Sequence, residues 1–162
     1  MVVVREKTTV TQRIHGNCPT RSRTEIAVRD VGTVVDEPKE REGTKMGPTP
    51  TETMVAALIA CTNVISHKCA KKHGIELKAM TIDAESTLDR RGTQLLEEIE
   101  VPFPKIRLLI DVTTDATEAE IAQFMGGEKG AVGPTERHPG YARLRLQLRK
   151  KDKLPLVRLA CL

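Results

Sequence analysis

The longest hydrophobic segment of the chain lies near its centre and is bounded by polar signals at both ends. Residues 54–65 are apolar almost without interruption, and Thr49 and Glu52 precede them. A threonine followed three residues later by a glutamate is typical of a capping box at a helix N-terminus. Gly74 supplies the left-handed residue that commonly ends a helix. The pattern predicts a long helix over residues 49–73, and its apolar circumference predicts that this helix is buried. A few short strands of one chain cannot cover it all, so a partner chain is expected to supply the missing cover.

Shorter hydrophobic runs on both sides of the helix predict β-strands. Before the helix they cover residues 2–14, 24–29 and 34–35, with a turn over 15–19. After the helix they cover residues 75–86, 95–101 and 105–113. The charged, glycine-containing segment 36–45 predicts a loop, and Asp115 or Thr117 predicts the N-cap of a second helix over 118–124. This order of elements indicates an α+β fold in a single domain over residues 1–162.

The composition narrows the classes of function. Aromatic residues make up only 2% of the chain, which predicts an aliphatic core and argues against stacking on single-stranded nucleic acid. The apolar run at the N-terminus is too short for a signal peptide, and no run is expected to span a membrane. The four cysteines, at positions 18, 61, 69 and 161, have no regular spacing. They are therefore expected to be free thiols in a reducing, cytoplasmic compartment.

The basic charge of the chain is concentrated at its C-terminal end. Residues 137–162 contain eight Lys and Arg against one Asp, whereas residues 1–136 are mildly acidic. Leucines alternate with polar residues at 144, 146 and 148, which indicates a terminal strand. Two explanations of this tail remain open. It is either a basic surface strand that binds polyanions, or the product of a frameshift near residue 125.

Residues 47–63, Gly-Pro-Thr-Pro-Thr-Glu-Thr-Met-Val-Ala-Ala-Leu-Ile-Ala-Cys-Thr-Asn, resemble the central helix of the OsmC/Ohr superfamily of thiol-dependent peroxide reductases. Residues 34–40, 88–92 and 101–106 resemble further segments of that family in the same order. The resemblance covers roughly residues 1–125. It implies an OsmC-like fold, with antiparallel sheets around a long central helix. It also implies an intertwined homodimer in which the reactive cysteine lies near the interface.

The resemblance implies that Cys61 is the peroxidatic thiol. A thiol attacks peroxide as the thiolate, and an unperturbed cysteine with a pKa of ~8.5 is ionised only to a few per cent at neutral pH. Cys61 lies too far inside the helix for the N-terminal dipole to favour the thiolate, so a cation is needed from elsewhere. In the family this cation is an arginine of the loop after the first strand. Arg21 and Arg23 are the candidates here, and Arg23 is preferred because it adjoins the next strand.

The sequence departs from the family pattern at two positions. The family glutamate that holds the arginine lies ten residues before the cysteine, where this chain has Thr51. The resolving cysteine of a Cys-Pro pair is replaced by Gly133. The sulfenic acid would then need an external dithiol reductant. Cys18, in the arginine-bearing loop, is the one cysteine that could replace the resolving residue.

The first hypothesis is therefore a homodimeric peroxide reductase that prefers organic hydroperoxides to hydrogen peroxide. The alternative is a non-catalytic binding module of the same fold, with Cys61 as a core residue. No cofactor and no metal are expected, because Cys69 and His73 form only a pair where a zinc site needs four ligands. No membrane partner is expected. A role for the basic tail in nucleic-acid binding is not favoured.

Overall fold

A computed structural model describes residues 9–117, 119–121 and 144–150 of the chain. The chain forms two compact units, Met1–Met54 and Val55–Leu162. The boundary between them falls inside the long helix. The single domain over residues 1–162 stays a prediction.

The first unit contains a three-stranded antiparallel sheet in the order β1-β2-β3. Its strands are β1 (His15–Asn17), β2 (Thr24–Val28) and β3 (Val31–Val35). The second and third strands are confirmed within a few residues. The first is wrong over residues 9–14, which form no strand, while residues 1–8 lie outside the described residues. Val10 and Ile14 are largely exposed, so the alternating pattern there buries no apolar face.

The predicted loop after β3 is ordered around the carboxylate of Asp36, which is fully buried. Its Oδ1 accepts a hydrogen bond from the Glu37 N–H at 2.9 Å. Its Oδ2 accepts from the Thr44 hydroxyl at 2.6 Å, the Thr44 N–H at 2.9 Å and the Met46 N–H at 3.1 Å. These bonds, the Thr44 hydroxyl first, lower the pKa of Asp36 to about 2. A 3₁₀ turn over Lys39–Arg41 completes the loop.

Two glycines allow the backbone of this loop to pack closely on itself. A Cβ atom at Gly43 would lie 1.7 Å from the carbonyl oxygen of Glu37. A Cβ atom at Gly47 would lie 2.1 Å from the carbonyl oxygen of Val34. Both distances are far below van der Waals contact with groups that cannot rotate away. No other residue fits these positions without a shift of the backbone.

The long helix α1 spans Pro50–Lys72, as the sequence predicts. The Glu52 N–H donates to the Thr49 hydroxyl at 3.3 Å, and the Thr49 N–H donates to Glu52 Oε2 at 2.7 Å. This is the expected capping box, and its hydrogen bonds lower the pKa of Glu52. At the other end Gly74 has φ = 72°, and the Ile75 N–H donates to the Ala70 carbonyl at 2.9 Å. Both caps are therefore confirmed.

Among the described residues, α1 is covered on one side, so one chain alone does not bury the helix, and its burial against a partner chain stays a prediction. Val55, Leu58 and Ile59 pack against the apolar core of the second unit. Thr62 and Ala70 are the buried residues of the helix. Elsewhere on α1 the side chains are exposed or half-buried, and Met54 and Val64 are about half exposed. An apolar circumference indicates that a helix needs cover, but it does not indicate that one chain provides it.

By length and composition alone, α1 could also cross a membrane. This corrects the expectation that no segment reaches such a length. A helix of a folded core passes the same test, and Val55, Leu58 and Ile59 pack in such a core. The packing therefore favours a core helix, although most of its surface is exposed in one chain.

The second unit contains a sheet in the order β4-β5-β6. Its strands are β4 (Ala79–Thr87), β5 (Lys105–Thr113) and β6 (Leu144–Lys150). The first two run antiparallel, and β6 runs parallel to β5. The alternating residues of β5 and the preceding Phe103 form an apolar, mainly aliphatic core: Phe103, Ile106, Leu108, Ile110 and Val112. The predicted strands at 105–113 and at the C-terminal leucines are confirmed, and that at 75–86 begins later than expected.

The strand predicted over residues 95–101 is wrong. The chain instead forms a short helix, α2 (Arg90–Thr93), whose N-cap Asp89 accepts a hydrogen bond from the Arg91 N–H. The Leu96 N–H then donates to the Arg91 carbonyl at 2.9 Å, and Leu95 takes φ = 57°. A left-handed residue in a closed turn cannot continue into a strand. As a result β4 pairs directly with β5.

The second predicted helix begins at a second capping box. The Thr117 N–H donates to Glu120 Oε2 at 2.7 Å, and the Glu120 N–H donates to the Thr117 hydroxyl at 3.3 Å. Thr117 is thus the N-cap, whereas Asp115 forms an ion pair with Lys78. Residue 118 and the predicted continuation over 122–124 lie outside the described residues.

Candidate functional site

The thiol of Cys61 lies in the middle of α1 and is exposed in the chain. The next residue, Thr62, is buried, and its hydroxyl donates to the Leu58 carbonyl at 2.8 Å. Consecutive residues of a helix are about 100° apart around its axis. When Thr62 is buried, the neighbouring Cys61 therefore lies toward the uncovered side of the helix. Cys61 is therefore not in the core of one chain, and the alternative of a non-catalytic binding module stays a prediction. An exposed thiol is accessible to reagents, as a nucleophile must be.

The two candidate arginines lie in the loop between β1 and β2, in the first unit. The Thr20 hydroxyl accepts hydrogen bonds from the backbone N–H groups of Ser22 and Arg23, at 3.3 and 2.9 Å. This turn fixes the backbone that carries both arginines. Arg21 Nη2 pairs with Glu42 Oε1 at 2.8 Å, and both side chains are strongly exposed. Such a pair is heavily screened by water.

Arg23 is in a different environment. Its Nη2 lies 3.3 Å from Glu25 Oε1, and its side chain is only 28% exposed. The Nε atom of Arg23 is buried and has no hydrogen-bond partner among the described residues. A buried donor without a partner is unfavourable and is available to an incoming acceptor. Of the two arginines, Arg23 is the better held and retains a free donor in the described part of the chain.

Arg21 and Arg23 belong to the first unit, and Cys61 belongs to the second. Each arginine has its acidic partner within its own unit, Glu42 and Glu25 respectively. Sequence reasoning missed both acids. The Arg23–Glu25 pair could have been found from its spacing. The two residues lie two positions apart at the start of a strand, and side chains two apart in a strand share a face. The catalytic roles of Cys61, Arg23 and Arg21 stay predictions.

The first departure from the family pattern has a clear structural counterpart. Thr51, at the position of the family glutamate, has its hydroxyl 3.3 Å from that of Thr49. The neighbouring Glu52 uses a carboxylate oxygen on the Thr49 N–H. Glu52 is therefore the capping residue, as the sequence predicts.

The other thiols and the histidines contribute less. Cys18 is exposed, with its Sγ 3.8 Å from the Thr24 hydroxyl, and Cys69 is half-buried. Gly133 and Cys161 lie outside the described residues. His67 Nδ1 is 3.0 Å from the Asn63 carbonyl oxygen. Within the described ranges, no group of three or more His, Cys, Asp or Glu side chains is placed to hold a metal ion.

Comparison with solved structures identifies the fold. An OsmC-like protein from Mycoplasma pneumoniae has a TM-score of 0.64 at 16% identity, covering 88% of this chain and 96% of its own. A protein from Aquifex aeolicus has a TM-score of 0.62 at 11% identity. The match covers 89% of this chain and 100% of the Aquifex chain. An organic hydroperoxide resistance protein from Elizabethkingia anophelis has a TM-score of 0.50 at 12% identity, covering 91% and 99%. These likenesses confirm the α+β, OsmC-like fold.

The sequence itself gives a second line of comparison. No protein of curated function matches the chain significantly. The family model described as "OsmC-like protein" matches residues 42–126, which is more than half of the 162 residues. The match contains the Asp36 loop's second half, all of α1 and the strands β4 and β5. The chain therefore belongs to the family of OsmC-like proteins.

Proposed function

We propose that the protein is a thiol-dependent peroxide reductase that acts on organic hydroperoxides in a reducing, cytoplasmic compartment. The observation that carries the proposal is the exposed thiol of Cys61 in the middle of α1. Membership of the OsmC-like family supports a peroxide-related stress function. The neighbour from Elizabethkingia anophelis, described as an organic hydroperoxide resistance protein, supports the substrate class.

The chemistry begins with the thiolate of Cys61. Its sulfur attacks the terminal oxygen of a hydroperoxide ROOH, so that an S–O bond forms and the O–O bond breaks. The leaving alkoxide takes a proton and departs as the alcohol ROH. The sulfur, now oxidised by two electrons, remains as the sulfenic acid. One oxidised thiol and one reduced peroxide balance the step.

A cation beside the sulfur would favour the thiolate and stabilise the departing negative charge. Arg23 is the proposed cation, because it is half-buried and its Nε has no hydrogen-bond partner among the described residues. Arg21, with its strongly exposed side chain already paired with Glu42, is the second candidate.

The sulfenic acid is then reduced by an external dithiol. The first thiol of the reductant displaces water and forms a mixed disulfide with Cys61, and its second thiol releases the Cys61 thiol. An external reductant is proposed because Gly133 replaces the resolving cysteine of the family. Excess peroxide should then convert Cys61 to sulfinic and sulfonic acids, which thiols do not reverse.

A homodimer is part of the proposal. The uncovered side of α1, with Met54 and Val64 about half exposed, supports it, since exposed apolar surface of a long helix is stabilised by burial against a partner. Light scattering or sedimentation at micromolar concentration should give twice the mass of one chain. A well-folded monomer under those conditions would refute this part of the proposal.

The central experiment measures oxidation of Cys61 by stoichiometric tert-butyl hydroperoxide, with sulfenic acid trapped by dimedone and located by mass spectrometry. Cys61 should be labelled faster than Cys18, and Cys61→Ser should abolish dithiol-dependent peroxide consumption. Arg23→Ala should slow labelling about tenfold, which corresponds to ~1.4 kcal/mol of barrier. Arg41→Ala, which removes another ion-paired arginine of the same unit, is the matched control.

Three outcomes would count against the proposal. If Cys61 remains unlabelled while Cys18 reacts, the protein is a non-catalytic binding module of this fold. If Arg21→Ala slows labelling more than Arg23→Ala, the cation is Arg21. A Cys18–Cys61 disulfide after peroxide treatment would make Cys18 the resolving residue and remove the need for an external dithiol at that step.

A further inference from the structure

The segment that follows α2 presents two neighbouring leucines to solvent. Leu95 is 93% exposed and Leu96 is 68% exposed. Three exposed acids, Glu97, Glu98 and Glu100, come directly after them. Residues 95–100 are here named the acidic leucine turn. A single exposed leucine is common on a protein surface, but two adjacent ones at one fixed point indicate a contact surface.

The backbone of Leu95 makes its exposure more unusual. Leu95 has φ = 57°, a left-handed conformation that glycine and asparagine adopt readily and leucine does not. The Leu95 N–H donates to the Gly92 carbonyl at 3.1 Å, and the Leu96 N–H donates to the Arg91 carbonyl at 2.9 Å. Neither bond uses a leucine side chain. Leucine at position 95 is therefore unfavourable for the fold and has no packing role in the described part of the chain.

Other residues hold the acidic leucine turn in place. Arg91 Nε and Nη2 bind the two carboxylate oxygens of Asp89 at 3.1 and 2.7 Å, and Arg91 Nη1 binds Glu97 Oε2 at 2.6 Å. The Asp89 N–H donates to the Pro102 carbonyl at 2.9 Å, which joins the two ends of the segment. A bidentate arginine pair fixes direction as well as distance. The two leucines are thus presented by a framework that does not depend on them.

The charge beside the leucines indicates which partner fits. Arg91 compensates Glu97, whereas Glu98 and Glu100 form no ion pair with any residue that the structure describes. Two uncompensated carboxylates next to an apolar pair complement a surface in which Lys and Arg border an apolar stripe. The same carboxylates are repelled by the anionic surface of a membrane.

We propose that the acidic leucine turn is the docking site for a basic amphipathic helix of a partner protein. Its six residues offer a small footprint, which matches the apolar stripe of one helix. Leu95 and Leu96 would pack on that stripe, and Glu98 and Glu100 would pair with the Lys and Arg at its border. The proposal goes beyond peroxide reduction and uses no chemistry at Cys61, so either can fail without the other.

The test uses two fluorescein-labelled peptides of about 18 residues, which is five helical turns. The basic peptide consists of lysines and of leucines at the spacing i, i+3, i+4 and i+7. In the acidic peptide, glutamate replaces each lysine. Fluorescence anisotropy with the full chain measures Kd for each peptide, and thermal melts without peptide measure the Tm of each variant.

The basic peptide should bind the wild-type chain, and the acidic peptide should not. Leu95→Asn should raise the Kd of the basic peptide about tenfold, because the apolar contact is lost. The same change should raise Tm by about 2–4 °C, since asparagine adopts the left-handed conformation more readily. Leu96→Asn should weaken binding to a similar extent and leave Tm unchanged. A merely structural leucine would instead lower Tm when it is replaced.

The charges are tested by the double variant Glu98→Gln with Glu100→Gln, which should also raise Kd about tenfold. The matched control is Glu76→Gln with Asp83→Asn, which removes two other exposed acids of the same unit. The control should leave Kd at its wild-type value. An equal loss of binding in the control would reduce the contact to net charge and overturn the proposal.

Other outcomes would also overturn it. These are a wild-type Kd in Leu95→Asn, a lower Tm in Leu95→Asn, or an acidic peptide that binds as tightly as the basic one. Binding to phosphatidylcholine vesicles that is lost in Leu95→Asn would assign the turn to a membrane instead. A weaker self-association of Leu95→Asn in sedimentation would assign it to a second copy of the chain. Should Leu95→Asn fail to fold, Leu96→Asn decides by its Kd.

Discussion

The loop over residues 36–48 and the β4–β5 core are ordered by different forces. In the loop, one carboxylate collects four hydrogen bonds from three residues, and glycine is required where backbone meets backbone. In the core, branched side chains of β5 alternate inward and pack, together with the preceding Phe103, against α1 and β4. The loop depends on the directions of its hydrogen bonds and on short distances between backbone atoms. The core depends on the apolar area that it buries.

This difference determines how each region responds to change. Hydrogen bonds to a buried carboxylate fail when a partner is missing, because the remaining group stays desolvated. An aliphatic core tolerates swaps of similar volume and is sensitive mainly to lost volume. The loop should therefore respond sharply to small chemical changes, and the core should respond in proportion to the atoms removed.

The largest effect is expected in the core, at Leu108, which is fully buried. Leu108→Ala should lower the free energy of unfolding by ~3–5 kcal/mol through lost burial and a cavity. Urea denaturation followed by circular dichroism measures it. Leu95→Ala, at a side chain that is 93% exposed, is the control and should stay within ~0.5 kcal/mol. Equal effects at the two leucines would contradict the assignment of the core.

The second-largest effect is expected at Gly47 and tests whether the loop requires glycine. Gly47→Ala should destabilise the protein by ~3 kcal/mol, because the new Cβ overlaps the Val34 carbonyl and the backbone must move. Gly74→Ala is the matched comparison, since no atom lies within 4 Å and only φ = 72° opposes it. That change should cost only ~1 kcal/mol. A Gly47→Ala protein as stable as Gly74→Ala would show that the loop is not closely packed.

Acid should distinguish the loop from the core. The folded pKa of Asp36, about 2, lies below its ordinary value of 3.8. Ionised Asp36 therefore stabilises the fold fully above pH 4, and this contribution is lost as the pH falls from about 4 to about 2. Asp36→Asn should lower Tm by about 5 °C at pH 7 and flatten the acid dependence over that window.

Thermal melts at pH 7, 4 and 2.5 check this prediction, with Asp83→Asn, on the exposed side of β4, as the control. Only Asp36→Asn should reduce the difference in Tm between pH 4 and pH 2.5. If both variants retain the wild-type acid dependence, the hydrogen bonds to Asp36 do not stabilise the loop.

The smallest effect is expected at the junction of loop and helix. Thr49→Ala removes the acceptor for the Glu52 N–H and should cost ~1 kcal/mol in urea denaturation. Thr49→Ser retains the hydroxyl and should recover most of this loss. If Thr49→Ser is no better than Thr49→Ala, the capping box contributes little beyond the methyl group of the threonine.

The parts of the fold that the sequence predicts well are those specified by neighbouring residues. The capping box at Thr49 was predicted because its two partners lie three residues apart, and Thr117 was one of the two N-caps predicted for the second helix. The failed strands, over 9–14 and 95–101, depended instead on a partner strand elsewhere in the chain. Leu95 adopts a left-handed turn that no rule for leucine would predict.

The candidate site shows the same difference between features set by neighbouring residues and features set by distant ones. The mid-helix position of Cys61 was predictable from the helix caps, but its exposure was not, because an apolar circumference does not indicate which side is covered. The partners of the arginines, Glu25 and Glu42, depend on strand register and on a loop contact twenty-one residues away. Such contacts follow from tertiary structure, which the local pattern does not determine.

The parallel pairing of β6 with β5 has a consequence for synthesis of the chain on the ribosome. Antiparallel β4 and β5 are separated by residues 88–104, whereas β5 and β6 are separated by residues 114–143. The β4–β5 pair can therefore close while β6 is still inside the exit tunnel, and one edge of β5 stays unpaired until β6 emerges. A ribosome that stalls before residue 144 would leave that edge open to strands of other nascent chains.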